Sequence, residues 1–216
     1  MKIKWMGHSC FLITAQDGRT LLTDPFDATV GYTLPGVPAN IVTCSHNHFD
    51  HHAVELLPNG YTVIDDVGIH HSQGFVVDGI MSYHDDKQGS LRGANIIYRV
   101  EIDGLVLVHM GDIGHPVSQS VLEMLGDVDV LMIPVGGVFT INADTAAEEV
   151  NRIKPKLTIP MHFQTKHLNF QLDDEKAFLR HFEHEYIGVN EIELTRDNIA
   201  SFPPVIVMAY EERTQG

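Results

Sequence analysis

Apolar positions along the chain fall in short runs broken by polar and glycine-rich segments, and only a few stretches repeat with helical period. Ile3 to Met6, Cys10 to Thr14 and Leu21 to Thr23 predict three strands, with Gln16-Asp17-Gly18-Arg19 as a hairpin turn. A loop through Gly31, Pro35, Gly36 and Pro38 leads to Ile41–Cys44, a short buried strand. Ala53 to Leu57 predicts a short helix stopped by Pro58 and Gly60, and Tyr61 to Ile64 a strand. Residues 67–74, carrying His70 and His71, are expected to form a loop. Phe75 to Tyr83, Asn95 to Val100 and Leu105 to Val108 are strand-like, the last two joined by a turn at Glu101-Ile102-Asp103-Gly104. Val128 to Val135, Leu157 to Met161 and Val205 to Tyr210 complete the strands. Helices are predicted at Ser118 to Leu125, at Asp144 to Ile153 with Asp144 as N-cap and Pro155 as stop, and at Asp173 to His184. Hairpins first and alternating strands and helices afterwards predict one mixed α/β domain over residues 1–216, with helices outside and sheets within.

Composition narrows the function. The 216 residues suffice for one sizeable core. No apolar run is long enough to span a bilayer. The start, Met1-Lys2-Ile3-Lys4-Trp5, enters a strand-like pattern without a signal-peptide apolar region, so a cytoplasmic location is expected. Cys10 and Cys44 both sit in apolar runs and are expected to be buried free thiols. A formal charge of −15 argues against nucleic acid as a partner, because phosphate binding needs a basic footprint. No basic amphipathic helix marks a membrane-surface partner. The expected partner is a small-molecule substrate, and a homo-oligomer stays open. Glu211-Glu212 are expected to be solvated.

The octet Ser45-His46-Asn47-His48-Phe49-Asp50-His51-His52 carries the strongest chemical signal. Imidazole and carboxylate together suit zinc and its first-row neighbours. Residues i and i+2 share a face of an extended chain but lie on nearly opposite sides of a helix. His46 and His48 can therefore grip one ion only from an extended or looped segment, while Asp50 and His51 can turn toward a second. Apolar runs end in a metal-ligand residue type again at His84, Asp112 and His162, and strand ends gathered at one rim are where α/β folds place chemistry. Seven candidates, His46, His48, Asp50, His51, His84, Asp112 and His162, are too many for one zinc and suit two ions sharing Asp112.

Trp5-Met6-Gly7-His8, Thr23-Asp24-Pro25-Phe26, the octet, Gly111-Asp112, Pro134-Val135-Gly136-Gly137 and Pro160-Met161-His162-Phe163 follow one another in an order that resembles the metallo-β-lactamase superfamily. Within it, the chain is similar to the branch of L-ascorbate 6-phosphate lactonase-like proteins and N-acylphosphatidylethanolamine phospholipase D. The resemblance implies a four-layer αββα sandwich and a dinuclear site. It assigns His46, His48 and His84 to one ion and Asp50, His51 and His162 to the other, with Asp112 bridging; His70 and His71 compete with His84. Asp24 is expected to accept the second N–H of a ligand, and His8, His109 and His115 to support the ligands or meet substrate.

The chemistry implied is metal-assisted hydrolysis of an ester, lactone, amide or phosphodiester, with two divalent ions, zinc or else Mn or Fe, and Asp50 as proton acceptor. A secreted β-lactamase, a tRNA-processing nuclease and a membrane phospholipase are less expected of an acidic chain in which no export signal is read. Two other classes use the same ligand types: a non-haem iron oxidoreductase and a metal-binding protein without turnover.

Overall fold

A computed structural model describes residues 1–33 and 36–210. Pro35 and Glu211-Glu212 lie outside the described residues. The chain folds into two mixed sheets that face each other across the main core. The first is built from β1 (Lys2–Gly7), β2 (Cys10–Thr14), β3 (Thr20–Thr23), β4 (Ile41–Thr43) and β5 (Thr62–Ile64). The second holds β6 (Gly68–Ser72), β7 (Phe75–Tyr83), β8 (Ala94–Ile102), β9 (Leu105–His109), β10 (Val130–Pro134) and β11 (Leu157–Met161). Three late strands complete them: β12 (His184–Tyr186) and β14 (Val205–Val207) extend the second sheet past β11, and β13 (Glu191–Glu193) edges the first beside β1.

Sheet order explains where the strands end. β3, β4 and β5 run parallel, with Leu22 opposite Val42 and Val42 opposite Val63. β9, β10 and β11 also run parallel, while β7, β8 and β9 alternate in direction. The C-terminal ends of β3, β4, β7, β9 and β11 consequently deliver Asp24, the octet, His84, Asp112 and His162 to one rim. β10 and β11 are buried along their whole length, which is why they read as unbroken apolar runs.

Helices α1 (Gln119–Leu125), α2 (Ala143–Ile153) and α3 (Lys176–Leu179) belong with the second sheet, where Ala146, Ala147, Val150 and Ile153 of α2 join the main core. Ser118 caps α1 as expected, its side chain accepting from the Val121 N–H. The outer face of the first sheet is covered instead by Phe26, Val30, Tyr32, Leu57, Leu168 and Leu172, supplied by loops and 3-10 turns.

Several local expectations are corrected. The N-cap of α2 is Asn142, which accepts from the Thr145 N–H; Asp144 lies within the first turn and contacts His181 at 3.0 Å. The helix expected over Asp173–His184 shrinks to α3, because His184–Tyr186 leaves it to pair with β14. Residues 54–56 form a 3-10 turn in place of a helix over Ala53–Leu57. Residues 68–72 are a strand, not a loop: they pair with β7, His71 facing Val76 in register. Cys10 and Cys44 are buried and free. Among the described residues, no helix is long and apolar enough to cross a membrane.

One side chain ties the sheets together beneath the rim. The Tyr98 hydroxyl on β8 lies 2.9 Å from the Cys44 carbonyl and 2.8 Å from that of Ile64, at the ends of β4 and β5. Tyr98→Phe removes this donor from a fully buried place, and about 1–3 kcal/mol of stability should be lost. Chemical denaturation checks this, and an unchanged midpoint would show that the bridge adds nothing.

Candidate metal centre

Residues 45–52 leave β4 as bends and turns, not helix. Backbone bonds from His51 N–H and His52 N–H to the His48 carbonyl, both 3.0 Å, fold the segment back on itself. The donor atoms of His46, His48 and His84 lie within 4.8 Å of one another, and those of His8, Asp50, His51 and His162 do the same. Asp112 stands between the groups: its Oδ2 is 3.4 Å from His84 Nε2, 3.2 Å from His51 Nε2 and 3.0 Å from His162 Nε2.

The supports of these groups are as specific as the groups themselves. Asp24 is fully buried and accepts from the Ser45 backbone N–H, the Ser45 hydroxyl and His51 Nδ1, each at 2.7 Å. That leaves His51 Nε2 to face the centre. Ser45 Oγ also lies 2.9 Å from His46 Nδ1, which leaves His46 Nε2 to face it too. Asn95 accepts from the Asp112 backbone N–H at 2.8 Å and donates to the Met110 carbonyl, fixing the turn after β9. Gly111 in that turn has φ +56°, and a Cβ there would sit 2.3 Å from Asn95 Oδ1, so no side chain fits. His8, Asp24 and His162 themselves adopt left-handed φ of 53°, 40° and 51°. Residues other than glycine disfavour that region, and its repeated use at these strand ends turns the chain sharply into the centre.

Electrostatics fit the same picture. Burial and neighbouring imidazole charge lower His8 to about 4 and His46 to about 3, so both are neutral, the form that binds metal. Burial raises the carboxyls of Asp112, Asp24 and Asp50, but adjacent histidines overrule it and hold all three below the ordinary range. Burial opposes the charged form of His51, yet Asp112, Asp50 and Asp24 together keep its value above ordinary.

Buried polar atoms without hydrogen-bond partners mark the centre. They include both ring nitrogens of His8 and His162, Nε2 of His46 and His51, Nδ1 of His84 and Oδ1 of Asp112. Native interiors pair such groups. Imidazole nitrogens and carboxylate oxygens converging without partners are what one or more cations would satisfy, and the residues present fit a divalent metal.

The structure also separates the remaining candidates. His8 joins the centre, its Nε2 3.4 Å from Asp50 Oδ2. His109 bonds the Ser9 carbonyl through Nε2 and accepts from the Gly111 N–H through Nδ1, so it braces the Asp112 turn. His115 does not reach the centre, contrary to expectation. Its Nε2 accepts from the Tyr83 N–H and its Nδ1 faces the Pro116 carbonyl, so both nitrogens are occupied by backbone. His70 and His71 do not compete with His84, because they pair with Val77 and Val76 near the start of β7, far from its Tyr83 end. Ser45 and Asn95 were not singled out from the sequence; a lone Asn opening the apolar run Asn95-Ile96-Ile97 was the available signal.

A two-sheet sandwich with this rim defines the class, and comparison with known proteins agrees: the family described as "Beta-lactamase superfamily domain" matches residues 2–162. The chain belongs to the metallo-β-lactamase superfamily and has its α/β sandwich fold, with α-helices on the second sheet and 3-10 turns and loops over the first. It is similar to a solved superfamily protein from Thermotoga maritima, named as a candidate zinc-dependent hydrolase, with 36% identity, 96% of this chain and 97% of that one covered, and a TM-score of 0.80. It is also 26% identical to a UPF0173 metal-dependent hydrolase of Thermococcus kodakarensis, over 76% of this chain and 85% of the relative. CmlA, a diiron β-hydroxylase from Streptomyces venezuelae, shares the fold at 16% identity, with 83% of this chain and 49% of that one covered and a TM-score of 0.60.

Two outcomes follow. Asp24→Asn puts an amide N–H against one of the three donors that Asp24 now accepts, so metal affinity should fall roughly 10- to 100-fold; competition with a chelator measures it, and unchanged affinity would remove Asp24 from the support of His51. The second concerns pH. His8 and His46 have folded values below the ordinary histidine value of 6.5, so the unfolded chain takes up protons first as pH falls. Stability of the metal-free protein should therefore drop between about pH 6.5 and about pH 3, with on the order of 3 kcal/mol lost from His8 alone by about pH 4. The depressed carboxylates add a further loss that begins at the acid end of this window, and His51 acts above it. Denaturation midpoints across the range test this: His8→Gln should make the profile less steep, His46 keeping part of the slope, and a wild-type profile already flat would contradict the burial account.

Proposed function

We propose that this protein is a metal-dependent hydrolase that holds two divalent ions, with zinc the first candidate, and cleaves an ester, lactone or phosphodiester bond in a small soluble metabolite. One observation carries the reading: Asp112 Oδ2 lies within 3.4 Å of imidazole nitrogens from both donor groups, and those of His51 and His162 have no hydrogen-bond partner. The names of the Thermotoga and Thermococcus relatives support the hydrolytic class.

His46, His48 and His84 would hold one ion, Asp50, His51 and His162 the other, and Asp112 both. Ions so held supply an activated water at neutral pH and an electrophile for the scissile carbonyl or phosphoryl group. The rest is the work of side chains. Asp24 and Ser45 fix the tautomers and directions of His51 and His46, so that their free nitrogens face inward. Asp50 lines the cavity over the centre and is placed to take a proton from the attacking water, with His8 Nε2 3.4 Å from its carboxylate.

A metal-replete screen over lactones, phosphodiesters, phosphomonoesters and thioesters, with metal analysis of the same sample, tests the reading. Hydrolysis of at least one class with two ions bound is expected. Bound iron with redox turnover and no hydrolysis would overturn it. Asp112→Asn keeps the shape of the side chain but lacks the anionic charge that offsets repulsion between two cations. It should lose one ion and slow hydrolysis by roughly 100-fold or more. Two tightly held ions with near-normal turnover would remove Asp112 as the bridge.

A further inference from the structure

The cavity over the metal centre has a volume of about 420 Å³, and its floor is His48, Asp50, His84 and Asp112. Its walls are of a different kind. Phe49, Phe139 and Phe170 form one aromatic surface, with ring centroids 6.4 Å apart for Phe49–Phe170 and 6.3 Å for Phe139–Phe170. Leu91 adds a fourth apolar wall. Phe49 is 54% exposed and Leu91 69%, unusually open for large apolar side chains ringing one cavity. Arg92 is the only cation in the lining, and its guanidinium lies 5.6 Å from the Phe139 ring centroid. In a chain of formal charge −15, it makes no ion pair among the described residues.

The segment presenting Leu91 and Arg92 is held by design of the backbone. Asp85, buried directly after His84, accepts from the N–H groups of Lys87 at 2.7 Å, Gly89 at 3.0 Å, Leu91 at 2.9 Å and Arg92 at 2.8 Å. Gly93 N–H bonds the Gly89 carbonyl, and the Gly93 carbonyl accepts from His84 N–H, closing the loop onto the end of β7. One carboxylate thus fixes the Arg92 backbone relative to His84. The result is an aromatic and aliphatic enclosure with one forked cation, opening on the candidate ions.

We propose that this cavity selects substrates with an apolar acyl or aryl body and one anionic oxygen group, carboxylate or phosphate, paired with Arg92. The inference rests on the hydrolase reading and names its substrate class. A guanidinium binds either group through two parallel N–H···O bonds, and the phenylalanine faces bury the apolar body. The reaction is balanced by water alone: the ester C–O bond breaks, the acyl carbon gains the water oxygen, and the departing oxygen gains a proton.

The test uses the metal-replete protein with three aryl esters of equal length, one ending in a carboxylate, one in a phosphate and one in a neutral methyl group. The wild type should prefer at least one anionic ester by roughly 10-fold or more in kcat/KM. Arg92→Gln should reduce that anionic-over-neutral preference by roughly 10- to 100-fold, the loss of a charge-assisted hydrogen-bonded pair. Arg92→Lys should recover part of it. The carboxylate and phosphate arms show which group is preferred. An equal rate on all three esters, or an Arg92→Gln loss shared equally by neutral and anionic esters, overturns the proposal while leaving the hydrolase reading intact. If no ester is hydrolysed, the hydrolase reading is judged separately by the metal-replete screen, and calorimetric titration with the carboxylate- and phosphate-bearing phenyl compounds decides the site. Binding weakened by Arg92→Gln sustains it, and no binding to the wild type ends it.

Discussion

The Asp24 carboxylate, sealed from solvent at the end of β3, is the contact on which the functional rim depends. All three of its hydrogen bonds are 2.7 Å long, and all reach into the octet, two to Ser45 and one to His51. An ionised carboxylate in that place is tolerated only because its neighbours compensate the loss of water. Its backbone N–H bonds the Thr43 carbonyl, so the parallel pairing of β3 with β4 sets the distance between carboxylate and octet. Sheet register thereby becomes imidazole orientation.

The second sheet contributes by a similar conversion. β7, β9 and β11 end at the same rim, each followed by a residue that turns inward: His84, Asp112 and His162. These turns are braced by side chains nearby in the fold. Asn95 and His109 hold the Asp112 turn, His115 holds the backbone beside His84, and Tyr98 links the second sheet to the first. A site assembled from distant segments must have its geometry fixed before any ion or substrate arrives, because a rigid surround is what keeps ligand atoms convergent. Left-handed φ at His8, Asp24 and His162 shows where local backbone preference has been overridden to achieve this.

Floor and walls of the cavity divide two tasks. The floor, from strand ends and the octet, is polar and held by buried hydrogen bonds. The walls, from Phe49, Phe139, Phe170 and the Asp85-pinned loop, are apolar apart from Arg92. The first is set by the strand ends that the two sheets bring to one rim. The second lies in loops, where folds of one family vary most.

The sequence alone determined the strand-rich organisation, the octet as a loop, and the recurrence of ligand types after apolar runs. Those features are local: side-chain period reports burial, and i, i+2 spacing constrains the backbone wherever it occurs. It did not reveal β6, β12 or β13, whose burial is slight or nil, because edge strands are joined by backbone hydrogen bonds that leave no side-chain pattern. It placed the α2 cap at Asp144 instead of Asn142, since both residue types cap and spacing does not choose between them. His84 was the assigned ligand, with His70 and His71 left as competitors on paper. Only the antiparallel register of β6 on β7, which carries the pair to the far end of the strand, distinguishes them. Nothing in the sequence singled out Asp85 or Arg92. Their roles exist only once the chain between β7 and β8 closes on a single carboxylate, because a tertiary contact, not residue type, decides whether a charge faces water or a cavity.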